Sequence, residues 1–332
     1  MASHQVISVV SDLEIQEPPP PKLSIQGMSL TLGTRVVLDD LFFDVEPGQI
    51  VGLLGPNGSG KTSLMRCLTG MIRPDRGTVW LDGASVPAHS RDLRASMGVV
   101  FQEASLDNHL RAIENLELGG RLFGLSKLEA RERAKELLLF VDLADRAQDL
   151  TKTFSGGMRR RLELARALIH KPDILLLDEP TSGLDPLAFE RIWQRLMALR
   201  KAKELTILVS THRADEAERC DRLVVMDRGH IVANEAPESL MTRVRGDIIS
   251  LDVEDPERCV KAVEAELEQP ARVVSKHGVE LELNDAHQFV PRLVEAFPAG
   301  TFRSLSIRRP SLADAFFHLT GHSLDVEYGG LA

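Results

Sequence analysis

The stretch Ile50-Val-Gly-Leu-Leu-Gly-Pro-Asn-Gly-Ser-Gly-Lys-Thr-Ser63 constrains the fold of this chain more than any other. Its apolar run, Ile50–Leu54, is typical of a buried parallel strand and leads into the P-loop pattern Gly-x-x-x-x-Gly-Lys-Thr. Glycines allow successive backbone N–H groups to point inward at a helix N-terminus, an arrangement that binds phosphate. Lys61 adds a positive charge for the β- and γ-phosphates, and the Thr62 hydroxyl adds a ligand for Mg²⁺. The sequence therefore predicts a nucleoside triphosphate site. Its P-loop residues are Gly55, Pro56, Asn57, Gly58, Ser59, Gly60, Lys61, Thr62 and Ser63.

Composition limits the class of protein. The 332 residues are 43% hydrophobic and 27% charged, which is ordinary for a soluble globular protein, and the length suits two domains. A formal net charge of −9 opposes the basic surface that nonspecific nucleic-acid binding needs, so no nucleic-acid partner is expected. No run approaches the roughly 20 apolar residues of a membrane-spanning helix, and no secretory signal is recognisable. Cys67, Cys220 and Cys259 lack metal-ligand spacing, and we expect reduced thiols in the cytoplasm.

Changes in pattern along the chain predict its domains. Residues 1–22 end in four prolines and a lysine, which indicates a disordered Pro-rich leader. Residues 23–245 form one domain, in which short β-type runs precede the P-loop and a largely helical subdomain covers about 104–168. In that subdomain, residues 127–143 read as a helix with Ser126 as its N-cap. Residues 246–332 contain alternating strand and helix patterns and no catalytic constellation, and they predict a small accessory α/β domain.

Polar residues follow three predicted parallel strands at the point where each strand ends. Asp178 and Glu179 come directly after a buried aliphatic run, Gln102 follows the strand 97–101, and His212 ends the strand 205–212. The carboxyl ends of parallel strands are where such sheets bind ligands. There Asp178 could hold Mg²⁺, and Glu179 could polarise an attacking water. Gln102 could bind Mg²⁺ or position water, and His212 could contact the γ-phosphate. The simpler interpretations are a loop acid pair that begins a helix, an ordinary glutamine after a strand and a structural histidine.

The segment Phe154-Ser-Gly-Gly-Met-Arg-Arg-Arg-Leu-Glu-Leu-Ala-Arg-Ala-Leu168 has two interpretations. A serine and two glycines at a helix N-terminus are suited to binding phosphate. The alternative is an ordinary serine N-cap, with the three arginines forming a solvated helix face. The segment alone leaves both open.

Together these motifs resemble the nucleotide-binding domain of ATP-binding cassette (ABC) proteins over residues 23–245. The resemblance rests on GPNGSGKTS, Gln102, FSGGMRRRLELARAL, ILLLDEP, SGLD and the strand that ends in His212. It implies an α/β P-loop NTPase cassette with a mixed, mostly parallel core sheet, an antiparallel β subdomain and a helical subdomain, here followed by a small C-terminal α/β domain. It also implies a homodimer of nucleotide-binding domains in which each ATP lies between the P-loop of one subunit and the Ser-Gly-Gly signature of the other.

The resemblance also implies roles for individual residues. Thr62, Gln102 and Asp178 surround Mg²⁺, with Gln102 also sensing a transmembrane partner. Glu179 is the catalytic base, assisted by His212 as the γ-phosphate switch. The groups that act across the dimer are Ser155, Gly156, Gly157 and Asp185.

Two departures from the family pattern matter. Leu32 stands where an adenine-stacking aromatic residue is usual, so we expect weaker base recognition. Met158 stands where glutamine is commonest, and with the late segment RPSLADAFFHLTG it makes the chain similar to the drug- and nodulation-factor-exporter branch. That branch implies a separately encoded integral-membrane permease and a peripheral location on the cytoplasmic face of the cell membrane.

Two classes of function follow from the resemblance. The first is the ATP-hydrolysing motor subunit of an exporter. The second is a soluble ABC ATPase that acts on ribosomes or chromosomes, but such proteins usually carry two cassettes or a long coiled coil. The single cassette and the negative net charge of this chain favour the exporter.

Overall fold

The computed structural model describes residues 19–87, 90–102, 105–203, 205–244, 246–298 and 300–324. The predicted leader lies largely outside the described residues, as do residues 325–332. The strands are β1 (Leu23–Leu32), β2 (Arg35–Val45), β3 (Ile50–Leu54), β4 (Arg76–Leu81), β5 (Ala84–Val86), β6 (Met97–Val100), β7 (Ile174–Asp178), β8 (Thr206–Thr211), β9 (Arg222–Asp227), β10 (His230–Glu235), β11 (Asp247–Val253), β12 (Ala271–Val273), β13 (Gly278–Leu283) and β14 (Phe302–Arg308). The α-helices are α1 (Lys61–Leu68), α2 (Arg91–Ser96), α3 (Ala112–Leu122), α4 (Lys127–Phe140), α5 (Gly156–Ala167), α6 (Pro186–Lys203), α7 (Ala214–Ala217), α8 (Pro237–Met241), α9 (Pro256–Leu267), α10 (Ala286–Ala296) and α11 (Leu312–Thr320).

The central sheet has the strand order β10-β9-β3-β8-β7-β6. β3, β6, β7, β8 and β9 pair in parallel, and β10 pairs with β9 in the antiparallel sense. Every residue of β3, β7 and β8 is buried, which explains the apolar runs at residues 50–54, 174–177 and 207–209. Because these strands are parallel, their carboxyl ends meet at one edge of the sheet. The polar residues that follow β6, β7 and β8 therefore lie close together.

A second, antiparallel sheet has the order β2-β1-β4-β5. Its buried residues, among them Leu23, Met28 and Val79, share one apolar core with Leu64 and Leu68 of α1 and with one face of the central sheet. Because α1 packs against both sheets, the P-loop that directly precedes it is held between them.

The helices α3, α4 and α5 form the predicted helical region. Ser126 caps α4 reciprocally with Glu129: Glu129 N donates to Ser126 Oγ (3.3 Å), and Ser126 N donates to the Glu129 carboxylate (2.8 Å). The helix ends at Phe140, earlier than the predicted end at Leu143. The reason is Asp142, whose φ of 54° is left-handed and incompatible with a continuing helix.

The residues after Gly246 form a third sheet of order β12-β13-β11-β14, all antiparallel, with α9 and α10 packed on one face. The chain order is β-α-β-β-α-β, and the core of this unit includes Ile249, Leu251 and Val263. Helix α11 leaves this core. Its buried Leu312 and Phe316 belong instead to the core that contains β3 and the helices on the other face of the central sheet. The division of the chain into domains stays a prediction.

Candidate active site

The P-loop joins β3 to α1 and contains two positions that require glycine. Gly60 has a left-handed φ of 111° and precedes α1, whose N-terminus has no side-chain cap among the described residues. A Cβ on Gly55 would lie 2.2 Å from the carbonyl oxygen of Met226 on β9, so no larger residue fits there. The Ser59 hydroxyl is fully buried and has no hydrogen-bond partner in the described part of the chain. Open helix N–H groups and a hydroxyl without a partner suit an anion. The other predicted residues of this segment are Pro56, Asn57, Gly58 and Ser63.

Lys61 lies inside the loop. Its Nζ donates hydrogen bonds to the carbonyl oxygens of Gly55 (2.6 Å) and Pro56 (2.9 Å). Burial lowers the pKa of Lys61 to about 8, while the carboxylates of Glu179 and Asp178 act in the opposite direction. A buried ammonium group facing an open helix N-terminus fits the phosphates of a nucleotide, because phosphate oxygens accept hydrogen bonds from both.

Asp178 ends β7 and is buried beside two hydroxyl groups. Thr62 Oγ1 lies 3.3 Å from Asp178 Oδ1, and the Ser210 hydroxyl donates to the same carboxylate oxygen. Hydroxyl and carboxylate oxygens are ligands that Mg²⁺ prefers, so Thr62 and Asp178 fit the predicted metal. Sequence reasoning missed Ser210. No local pattern marks it, because the register that pairs Asp178 of β7 with Ser210 of β8 is set by the tertiary structure.

The next residue, Glu179, is held by the two other predicted polar residues. His212 Nδ1 lies 3.0 Å from Glu179 Oε1, and Gln102 Nε2 donates to Glu179 Oε2 at 3.1 Å. The hydrogen bond from His212 lowers the pKa of Glu179, burial opposes this, and the charges of His212, Lys61 and Arg160 add to it. The same contact raises the pKa of His212. The carboxylate is therefore ionised at neutral pH and able to accept a proton.

Gln102 was predicted to be both a metal ligand and a catalytic residue. In the structure its amide contacts Glu179, whereas the hydroxyl groups of Thr62 and Ser210 contact Asp178. The structure therefore brings all the predicted strand-end residues together at one edge of the sheet. Their chemical roles remain proposals.

Arg160 is the residue that sequence reasoning missed most clearly. One interpretation of the signature segment predicts that its arginines form a solvated helix face, yet Arg160 is 8% exposed. Its guanidinium group donates to the carbonyl oxygens of both Asp178 (2.9 Å) and Glu179 (2.8 Å). Three consecutive arginines on an amphipathic helix carry no local signal that the middle one points inward.

The signature residues lie at the exposed N-terminus of α5. Ser155 Oγ accepts a hydrogen bond from Met158 N (3.3 Å), so the simpler interpretation as an N-cap holds within this chain. Gly156 has an ordinary φ, and a Cβ there would meet nothing within 4 Å. Asp185 similarly accepts from Leu187 N and Ala188 N, both at 3.0 Å, at the start of α6. Contacts within one subunit therefore explain Ser155 and Asp185 but not the glycine at 156.

Comparison with known proteins agrees with this geometry. The sequence model of the family described as ABC transporter matches residues 38–182. The Nod factor export ATP-binding protein I of Ralstonia nicotianae is 41% identical over 310 residues, which covers 92% of this chain and 95% of that protein. The protein of the same name from Burkholderia lata is 39% identical over 311 residues, with coverage of 92% and 99%. A solved dimeric ATP-binding cassette, in a post-hydrolysis state bound to ADP and Pi, is 29% identical with a TM-score of 0.59. That match covers 64% of this chain and 98% of the cassette.

The fold and the loop geometry define a P-loop nucleotide-binding protein. The chain belongs to the ABC transporter family, and it is an ATP-binding subunit of an ABC transporter. The predicted α/β cassette fold is confirmed. Within the described ranges, no helix combines the length and the apolar character needed to cross a bilayer.

Proposed function

We propose that this chain is the ATP-hydrolysing motor subunit of an ABC exporter. The observation that carries the proposal is the Glu179 carboxylate, which is buried, ionised and held by His212 and Gln102 at the sheet edge beside Lys61. A carboxylate so placed can accept a proton from water, which is the requirement for a general base.

The reaction follows from these positions. The P-loop N–H groups and Lys61 bind the β- and γ-phosphates of ATP and offset their charge. Glu179 accepts a proton from a water whose oxygen attacks the γ-phosphorus, the bond to the β–γ bridging oxygen breaks, and ADP and phosphate leave. His212 keeps the carboxylate oriented and ionised. Thr62 and Asp178 would hold Mg²⁺, which would neutralise part of the phosphate charge when bound.

Two copies of the chain form the complete site in this proposal. The open space around Gly156 and the exposed N-terminus of α5 support it, because together they permit close approach of an anionic group from outside the subunit. Ser155, Gly156, Gly157 and Asp185 of one copy then contact the ATP bound to the P-loop of the other. The similar solved cassette is a dimer bound to ADP and Pi, which supports the same arrangement.

A separately encoded membrane permease is the proposed partner. A groove of about 370 Å³ lies between α3, α5 and β6, and its lining includes the exposed apolar side chains of Met71, Leu118, Leu122 and Phe123. Phe101 also lines it, and Gln102 follows directly. Exposed apolar clusters of this kind mark interaction surfaces. A permease segment seated there would contact Phe101, directly before Gln102. We propose a peripheral location on the cytoplasmic face of the membrane, in keeping with such a permease partner.

The direction of transport is proposed from the relatives, whose names refer to Nod factor export. We propose export for this chain as well, without extending the exported molecule from the relatives to it.

The experiment has two arms. Phosphate release by the purified chain with Mg-ATP tests hydrolysis, with Glu179→Gln as the inactive reference.

Affinity purification of the tagged chain from detergent-solubilised cells tests the partner. We expect an integral-membrane protein to copurify with the parent and with Leu139→Glu, but not with Leu122→Glu. Leu139 is the matched control because it is 70% exposed on α4 and does not line the groove. Sedimentation with ribosomes, or no membrane partner with any variant, would favour the soluble ATPase instead.

A further inference from the structure

Arg160 reaches from the second turn of α5 to the backbone around the proposed catalytic base. Its Nε donates to the carbonyl oxygen of Pro180 (2.7 Å), and its Nη2 donates to those of Asp178 (2.9 Å) and Glu179 (2.8 Å). Three consecutive carbonyl groups thus converge on one guanidinium group. They belong to the segment in which Glu179 has a left-handed φ of 46°, a conformation that is uncommon for residues other than glycine and needs support.

The other guanidinium nitrogen, Nη1, holds the chain next to Gln102. Arg160 Nη1 donates to the carbonyl oxygen of Phe101, directly before Gln102, and to Glu163 Oε2 at 3.1 Å. Glu163 Oε1 in turn accepts from the backbone N of Ser105 at 2.8 Å, on the far side of Gln102. The pair Arg160 and Glu163 therefore fixes the chain both before and after Gln102.

This arrangement suits arginine and no other residue. The guanidinium group is planar, stays charged and presents five donors in a fixed fork, whereas lysine presents a single point charge. Without Arg160, the buried carbonyl groups of Asp178 and Pro180 lose a hydrogen-bond donor, whereas the carbonyl group of Glu179 keeps its hydrogen bond from Ser182 N (3.2 Å). A buried polar group that loses its donor is costly. All but one of the acceptors are backbone carbonyls. What Arg160 determines is consequently the position of the backbone, and through it the position of the two side chains that bear on catalysis.

We propose that Arg160 is a positioning residue that couples the signature end of α5 to Glu179 and Gln102 of the same subunit. When the ATP of a second subunit engages Ser155, Gly156 and Gly157, any shift of α5 is passed through this guanidinium group to the base. The inference rests on the proposed hydrolytic function. In this arrangement, ATP bound to one subunit changes the position of the catalytic base in the other subunit.

A neighbour on the same helix provides the control. Arg161 donates to the carbonyl oxygens of Val141 (2.9 Å) and Asp142 (3.3 Å), at the end of α4. It therefore makes the same kind of contact as Arg160, from the adjacent position, to backbone that is remote from the proposed base. A purely structural role for these arginines predicts similar effects at both positions.

The test compares steady-state ATP hydrolysis by the full chain and by Arg160→Gln, Arg160→Lys and Arg161→Gln, with thermal unfolding of each. We expect kcat to fall about 10²-fold in Arg160→Gln, because misplacement of catalytic groups by about 1 Å can have effects of that size. KM for ATP should be retained, since the P-loop belongs to other elements, and this split marks an interaction used in the transition state. Arg160→Lys should recover part of the loss, and Arg161→Gln should stay within about twofold of the parent.

Equal kcat in the parent and in Arg160→Gln would overturn the inference, as would equal losses at positions 160 and 161. A loss of kcat and of ATP affinity together would also count against positioning. If Arg160→Gln does not fold, the comparison of kcat rests on Arg160→Lys. Lysine keeps the positive charge and the aliphatic part of the side chain, but it lacks the planar guanidinium group with its five donors. A parent that does not hydrolyse ATP refutes the proposed function instead, so the two failures are distinguishable.

Discussion

His212 and Glu179 contact each other through Nδ1 and Oε1 at 3.0 Å, although 33 positions separate them in the chain. They meet because they follow β8 and β7, which are parallel neighbours in the central sheet. The contact lowers the pKa of Glu179 and raises the pKa of His212, and both shifts favour an ion pair. The histidine therefore supports the base directly, and it lies at the edge where the γ-phosphate of ATP is proposed to bind.

Replacing Glu179 by glutamine should separate binding from hydrolysis. Glutamine keeps the size of the side chain but cannot accept the proton, and loss of a positioned base typically slows a reaction by about 10²–10⁴-fold. We expect Glu179→Gln to bind ATP and to accumulate as a closed dimer, visible by size-exclusion chromatography with Mg-ATP. The same protein without nucleotide is the control. Full hydrolysis by a protein that stays monomeric would contradict the assignment.

The two halves of the proposed site should respond differently to substitution. Lys61→Ala removes the ammonium group from the P-loop, so ATP binding by the single subunit should be lost. Ser155→Arg places a long side chain at the exposed N-terminus of α5 and should spare that binding while blocking hydrolysis. Equilibrium titration with ATP and phosphate release measure the two effects.

Ser155→Arg also removes a helix cap, which typically costs about 1 kcal/mol of stability. Ser126→Ala removes the comparable cap of α4, away from the site, and serves as the control. If Ser126→Ala blocks hydrolysis equally, the cross-dimer role of Ser155 is wrong.

Base recognition should be weak in this chain. Leu32 is only partly exposed and packs against the core of the antiparallel sheet, so it offers no ring face to adenine. Aromatic stacking on a base contributes about 1–3 kcal/mol. We expect little discrimination between ATP and GTP in the parent, and tighter ATP binding in Leu32→Tyr. Titration of ATP and of GTP against the parent and against Leu32→Tyr measures the four affinities. Strong ATP preference in the parent without a gain in the variant would assign stacking to another residue.

Asp314 should make stability depend on pH. Burial alone raises the pKa of this carboxyl, but hydrogen bonds from Arg308 and Ser311 outweigh burial and lower the pKa to about 2. The carboxylate therefore stabilises the fold above its ordinary pKa of about 3.8, and the contribution disappears as pH falls toward 2. We expect Asp314→Asn to lower the free energy of unfolding by about 1–2 kcal/mol at pH 7. The difference from the parent should shrink below about pH 4.

Chemical denaturation at several pH values measures this difference. Asp252→Asn is the control, because Asp252 lies in a half-exposed pair 3.9 Å from Arg303, where little stabilisation is expected. A difference between the parent and Asp314→Asn that is independent of pH would show that the carboxylate charge is not what stabilises α11.

Local patterns in the sequence were sufficient to predict the P-loop, the positions of Gln102, Glu179 and His212 at strand ends, and the helix cap at Ser126. Each depends on interactions within a few residues: apolar runs make strands, glycines make the anion-binding turn, and a serine satisfies the first N–H groups of a helix. The parallel arrangement of the strands then brings their ends together without further information.

Only the tertiary structure decided which distant groups those local elements would meet. The amphipathic pattern of α5 shows which side of the helix is apolar, but not that Arg160 lies under the carbonyl groups of Asp178 and Glu179. Likewise, the pattern of α11 predicts a buried face, yet Leu312 and Phe316 belong to the core behind the central sheet and not to the core of the third sheet. Sequence periodicity determines that a face is buried, because that depends on the chain's own geometry. Which surface covers that face depends on the shape and free energy of surfaces formed by residues far away in the sequence.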